Sequence, residues 1–315
     1  MIRSVQFEKI GDTPTLPGFS LAASGVTGDQ SRLFLFVEES GRQAVFESDH
    51  GGIGSFPRAR RDGSKRFRLL MESTGSVQSI DLPPLDLAFP KVDMFLDGRL
   101  LLAATRCNWR AAADYDLNGI IFDPRTGQAN RVLFGDGISD LQIDERGRIW
   151  IAYFDEGVFG NYGWGHPGAA PVGQAGLVCF SALGEKIWEF PNDAGPAIYD
   201  CCALNVTGAE AAIVSYPDFP ICRIDAEFQL TSKRTKLRGC HAFAMSEAEI
   251  LFAGQYGDPP DVACIGRWDR EGMIPVRRAR LLMPDGSARP PGRLQGRGKH
   301  LYHFGEDGIY RATVS

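Results

Sequence analysis

The chain has no uninterrupted apolar run of about 18 residues, the length a membrane-spanning helix needs. Its opening residues, MIRSVQFEKIGDTPTLPG, carry charge where a secretory leader would be apolar. A cytoplasmic protein with no membrane partner is the expectation. Base is not in excess: 34 Lys and Arg stand against 39 Asp and Glu, a formal net charge of −5. Phosphate backbones call for a basic surface, so nucleic acid is not an expected partner. The seven cysteines are an odd number without Cys-x-x-Cys spacing, which argues against a complete disulfide framework and fits reduced thiols. There is no phosphate-binding glycine loop, no Gly-x-Ser-x-Gly elbow and no His-Glu-x-x-His helix, so nucleotide hydrolysis, serine-esterase and zincin chemistry lack their usual sequence support. A small-molecule ligand or a protein remains as partner.

What the chain does have is 43% apolar residues, 37 glycines and a recurrent turn chemistry. Residues 91–134 read KVDMFL-DG-RLLLAATR, an irregular piece, then GIIFD-PRTG-QANRVLF: four strand-like runs parted by Gly and Asp turns. The pattern returns in ISDLQID-ERG-RIWIAYF with GLVCF-SALGE-KIWEF, in CCALNV-TGAE-AAIVSY with ICRID-AEF-QLTSKR, and in HAFAM-SEAE-ILFAGQY with ACIGRWD-REGM-IPVRRAR. A degenerate unit spans Leu21 to Leu82, and GRLQGRG-KHLYHFGED-GIYRATV is a sixth unit one strand short. Repeats of roughly 45 to 60 residues with four strands each predict an all-β fold, a six-bladed β-propeller with four-stranded antiparallel blades, forming one domain over 1–315. The ring must close, so the N-terminal run around Val5 to Ile10 is expected to supply the missing outer strand. Trp150, Trp188 and Trp268 fall in strands and are read as packing between blades.

DERGRIWIAYFDEGVFG, at 144–160, is similar to the repeat of sensor-type propellers, whose blades share an Asp-x-x-Gly-x-Ile/Leu-Trp-Ile/Val turn and second strand. The count of six units resembles the gluconolactonase/senescence-marker type. That resemblance implies a divalent metal, usually calcium, at one mouth of the channel, held by a Glu of the first blade and Asn or Asp of later ones. Here the first inner strand, SLAASG, has no Glu, and later inner strands offer Asp and His.

Strand direction alternates within a blade, so the start of each first strand and the connection between second and third strands emerge on one face. The chain spends its length in those connections, at about 48–66, 107–118 and 155–175, where hairpin loops are normally two to five residues. The last, DEGVFGNYGWGHPGAAPVG, is predicted to be a lid, with Phe159, Tyr162 and Trp164 for contact and glycines for bends. Starts of inner strands bring Asp93, Asp140, Asp200 and His241 to the same mouth, with Asp155 and Glu156 ending a second strand. Convergent carboxylates and an imidazole suit a hard divalent cation, calcium or another, or an acid–base pair. The candidate catalytic set is His241 as general base with Asp200 and Asp140, and the same three are the candidate metal ligands. Asp93, Arg106, Asp155, Glu156, Tyr162 and Trp164 are candidate ligand contacts, Arg106 for an anionic group. The structural alternative is a channel lining that ties strand ends together.

Cys107, Cys201, Cys202 and Cys240 lie near one end. A thiolate zinc site is one reading, and buried small hydrophobes is the favoured one, since neighbours such as Cys201 and Cys202 point apart. The basic run RARRDGSKRFR at 58–68 reads as a solvated hairpin. Two functions stay open: a propeller binding a small polar molecule, with metal-assisted hydrolase or lyase chemistry at its mouth, and a non-enzymatic scaffold that uses the lid against a protein or peptide.

Overall fold

The computed structural model describes residues 2–51, 54–59, 63–268 and 273–315. Arg60 and Arg61 of the basic run lie outside the described residues. Among the described residues the strands form six blades, each built on four antiparallel strands, the β-propeller of six blades that the repeats predicted. Blade 1 comprises Phe19–Val26, Arg32–Glu38, Phe67–Ser73 and Ser76–Asp81. Blade 2 comprises Pro90–Met94, Leu100–Ala104, Gly119–Asp123 and Gln128–Val132. Blade 3 comprises Ile138–Ile143, Ile149–Tyr153, Leu177–Phe180 and Lys186–Glu189. These three make one compact unit, Pro14–Phe190.

The second unit is Met1–Thr13 with Pro191–Ser315. Blade 4 comprises Asp200–Thr207, Glu210–Tyr216, Ile221–Ile224 and Leu230–Lys233. Blade 5 comprises Ala242–Met245, Ile250–Ala253, Val262–Gly266 and Val276–Leu282. Blade 6 takes Arg293–Arg297, His300–Phe304 and Ile309–Thr313 from the C-terminal region and Glu8–Gly11 from the N-terminal one. The missing outer strand therefore does come from the N-terminal run, but that run is divided. Arg3–Gln6 pairs in parallel with Val276–Leu282 as a fifth strand of blade 5, and only Glu8–Gly11 completes blade 6. The change of sheet falls at Phe7, 2% exposed, whose N–H donates to the Leu282 carbonyl at 2.8 Å.

The second strands explain the continuous apolar runs. Leu100 and Leu102 pack with Leu33, Leu35 and Phe67 of blade 1, whereas Leu101 and Ala103 pack with Leu141, Ile149 and Ile151 of blade 3. A strand sandwiched on both faces needs apolar side chains at every position rather than at every other one. Within each unit the first strands of successive blades lie against each other, Phe19–Val26 on Pro90–Met94 and Pro90–Met94 on Ile138–Ile143, and likewise in blades 4 to 6.

Side chains of Asp and Ser hold the turns. Asp144 Oδ1 accepts the N–H groups of Arg146 and Arg148, and its Oδ2 accepts from Arg148 Nε at 2.6 Å and Trp150 Nε1 at 3.0 Å. Gly147 in that turn has φ +76°, which an L side chain rarely adopts. The sensor-like motif is thus a structural staple. Trp150 is fully buried against Trp188, ring centroids 5.6 Å apart, and Trp268 stacks with Arg223 and Lys233. All seven cysteines are free; six are buried and Cys202 is half-buried. Burial pushes the thiols of Cys179 and Cys222 up, to about 12 and about 11, as expected of small interior hydrophobes.

Candidate functional site

The three long connections of blades 1 to 3 pack on one another. Blade 1 inserts a short helical turn and the hairpin Ser48–Gly51 with Gly54–Pro57, blade 2 the hairpin Trp109–Ala111 with Asp114–Tyr115, and blade 3 the helix Asp155–Phe159 followed by coil to 176. Tyr162 Oη donates to the Pro57 carbonyl at 2.6 Å, and Asn108 Nδ2 donates to the Ala59 carbonyl. The Trp109 N–H donates to the Tyr162 carbonyl at 2.9 Å and Trp164 Nε1 to the Cys107 carbonyl at 2.9 Å. A Cβ on Gly163, φ +89°, would lie 1.9 Å from the Trp109 carbonyl oxygen, so this approach requires glycine. The expectation that long connections gather at one end is met within this unit. Trp164 is buried in the loop packing, whereas Phe159 is exposed.

Arg106 lies at the centre. It follows the second strand of blade 2, and its side chain is 1% exposed. Nη2 pairs with Glu156 and stands 3.4 Å from Asp136 Oδ2. The guanidinium carbon is 4.6 Å from the Tyr162 ring centroid and 5.3 Å from that of Phe154. Two of its nitrogens, Nε and Nη1, have no hydrogen-bond partner among the described residues, and neither does Asp136 Oδ2. Asp136 Oδ1 is occupied, accepting the Cys107 N–H at 2.7 Å. Burial raises the Asp136 carboxyl to about 7, and Arg106 opposes that shift. Arg106 also lines a small recess with Ala59, Asp86, Ala88, Ala104, Asp116 and Asn118.

The recess wall is rigid on one side. Asp116 accepts from Asn108 N at 3.0 Å, Asn108 Nδ2 at 2.8 Å and Arg110 Nη1 at 3.0 Å. Asn118 donates to the carbonyls of Ala104 and Gly135 and accepts from the N–H groups of Phe134 and Gly135. Asp136, Asp116 and Asn118 were not read from the sequence. A signal existed for Asp136: it stands between Gly135 and Gly137, φ +83° and +74°, a turn that leaves room for a close approach. A Cβ at Gly137 would lie 2.2 Å from the Gly157 nitrogen.

Of the residues the sequence singled out, Arg106, Glu156, Tyr162 and Trp164 come together here. Asp155 is exposed and accepts the Glu156 N–H at 2.8 Å. Asp93 is buried and bridges two blades, accepting the Met94 N–H at 2.8 Å and the Ile143 N–H at 2.7 Å. Asp140, half-buried at a bulge of the first strand of blade 3, accepts the Leu141 N–H at 3.0 Å. Asp200 and His241 belong to the other unit. Asp200 opens blade 4 opposite Tyr216, and exposed His241 precedes blade 5 with its ring 6.0 Å from that of Tyr256. Among the described residues no three His, Cys, Asp or Glu side chains are grouped as a metal-ligand set.

No protein-family model matches the chain, and no curated protein matches it. Solved structures do. Virginiamycin B lyase from Staphylococcus aureus is similar with a TM-score of 0.49 at 13% identity, covering 98% of this chain and 99% of that one. The calcium-binding protein regucalcin from Agrobacterium tumefaciens has a TM-score of 0.48 at 12% identity, over 99% and 95%. The extracellular domain of a hybrid two-component system from B. thetaiotaomicron has a TM-score of 0.48 at 10% identity, over 99% of this chain and 40% of that one. The propeller assignment rests on the six sheets themselves.

Proposed function

We propose that the protein binds a small polar molecule at Arg106, beneath the segment 155–175. The observation that carries this reading is the guanidinium itself: it is buried, stacked on two aromatic rings, and keeps two nitrogens without a partner among the described residues, beside a recess. Leaving buried donors unmatched is costly, about 1–3 kcal/mol each, and a ligand acceptor removes that cost. The charge of Arg106 is already met by Glu156. An added anion would compete with that carboxylate, so the favoured ligand is uncharged, with an acceptor for Nε and Nη1 and a hydroxyl or amide that can exchange a hydrogen bond with the Asp136 carboxyl. Polyols, sugars and amides have that pairing. A carboxyl that titrates near neutrality, as Asp136 does, also suits proton exchange with such a ligand.

The test is saturation-transfer NMR and thermal shift on the full chain against a panel of uncharged polyols, sugars and amides, with matched organic anions beside them. Uncharged compounds should bind, and Arg106→Lys should abolish binding while the fold is retained, because an ammonium lacks the planar fork. If no compound binds, or if hits bind Arg106→Lys equally well, the reading fails.

A further inference from the structure

A separate group of residues, in blades 4 and 5, carries an inference that does not depend on Arg106. Tyr199 and Asp200 stand at the start of blade 4, Tyr216 ends its second strand, Phe219 lies in the tight connection that follows, and Tyr256 lies in the matching connection of blade 5. Their rings form an unbroken row ending on His241. Centroids are 6.3 Å apart for Tyr199 and Tyr216, 5.8 Å for Tyr216 and Phe219, 5.8 Å for Phe219 and Tyr256, and 6.0 Å for Tyr256 and His241. All meet at steep angles, between 56° and 70°.

The row is open to solvent. Tyr199, Tyr216 and Tyr256 are 44%, 48% and 50% exposed, three of the five exposed aromatic side chains among the described residues. The backbone is bent to keep the rings in place: Asp218 and Phe219 have φ of +66° and +48°, a region that a bulky residue such as Phe seldom enters. On the blade 5 side, Gly254 leaves room for the imidazole, since a Cβ there would come within 2.8 Å of His241 Cβ.

Carboxylates stand at the row: Asp200 and Asp218 flank it, and the carbonyl of Arg238 accepts the Tyr256 N–H. Asp258 is neutralised by Arg278 at 2.7 Å. Burial first, then the field of Asp200, pushes Cys202 to about 11, and burial first, then Cys202 and Asp200, pushes Tyr256 to about 12. Thiol and phenol thus stay neutral beside the carboxylate. Aromatic faces attract cations through the ring quadrupole, and a nearby carboxylate adds to that attraction. An anion would be repelled, and a neutral sugar would gain the ring contacts without the charge.

We propose that the Tyr199–Tyr216–Phe219–Tyr256 row is a binding site for an organic cation, an alkylated ammonium group laid against the tyrosine faces with Asp200 as counter-charge. The experiment is a titration of the full chain with choline, and with its uncharged isostere in which tert-butyl replaces trimethylammonium, following tyrosine ring resonances. Choline should bind about tenfold or more tightly than the isostere, and Asp200→Asn and Tyr216→Ala should each weaken it by about tenfold. Tyr199→Ala, in the connection before blade 4, serves if Tyr216→Ala does not fold, and Lys186→Ala should change nothing. The proposal is overturned if choline does not bind, if the isostere binds equally well, if Asp200→Asn leaves the affinity unchanged, or if maltose binds more tightly than choline.

Discussion

Asp136 Oδ2 stands 3.4 Å from Arg106 Nη2, with both side chains buried, and forms no hydrogen bond among the described residues. The pair is close enough to attract but too far to replace the solvent each group gave up. The carboxyl consequently holds its proton to about pH 7, against an ordinary value of 3.8.

That value sets a pH dependence. Between about pH 4 and 7 the folded protein keeps a proton that the unfolded chain has shed, so the contribution of Asp136 to stability falls as pH rises through this window and is flat above it. Asp136→Asn removes the dependence. Relative to the variant, the wild type should lose on the order of 2 kcal/mol between pH 4.5 and 7.5, measured by urea unfolding at several pH values. Parallel pH profiles for the two proteins would refute it.

His303 should act in the opposite direction. It is fully buried beside Arg289, with Nη1 to Nδ1 at 3.2 Å and the rings of Phe7 and Tyr310 about it. Burial first, then Arg289, lowers the imidazole from 6.5 to about 4, with Asp307 opposing. Stability from the neutral ring is present above the unfolded value of about 6.5 and is lost as pH falls from there toward 4. An NMR titration should find this imidazole still neutral at pH 5. His303→Gln should flatten the acid limb of the stability profile by roughly 2 kcal/mol.

The divided N-terminal run should matter to the fold. Phe7 is buried, and Phe→Ala at such sites costs about 3–5 kcal/mol. Phe7→Ala should lose that much in chemical denaturation, and removal of residues 2–11 more, because blade 5 loses Arg3–Gln6 and the Arg3–Glu249 ion pair while blade 6 loses its outer strand. A truncated protein that melts like the full chain would contradict the pairing.

Gly163→Ala should act locally. The added Cβ would clash with the Trp109 carbonyl, so hydrogen exchange should speed up at the amide of Trp109, which donates to Tyr162, and stability should fall by about 1–2 kcal/mol. Exchange in the second strands of blades 2 and 3 should not change. If protection is lost throughout these blades, the segment is part of their core rather than a cover.

The blades were legible because their signals are local. The side chains of Asp144 and Asp225 take N–H groups two and four residues onward, and Ser181 does the same. These bonds need no tertiary partner, so they show in any reading of turns. The long connections were legible by length alone, and with them Arg106, Glu156, Tyr162 and Trp164. Asp136 was hidden because its importance comes from a partner thirty residues earlier and from burial, neither of which a Gly-Asp-Gly stretch displays. Asp93 looked like a site residue, but its carboxylate holds the Ile143 amide of the next blade. The split at Phe7 was hidden too, since Val5, Phe7 and Lys9 alternate as one strand would and only the partners in blades 5 and 6 reveal two.

Glu8 meets Arg311 across 303 positions of sequence. At a synthesis rate of about 5–20 residues per second, the N-terminal strands wait on the order of 15–60 s for their partners to be made. Through that interval Val5 and Phe7 have no sheet to join, and blades 5 and 6 cannot be completed until Val276–Leu282 and Ile309–Thr313 are translated. Blades 1 to 3, built from consecutive strands, have no such delay. The protein should therefore mature in two stages on the ribosome, with the early stage already holding the Arg106 recess and the late stage waiting for Glu8–Gly11 to meet Ile309–Thr313.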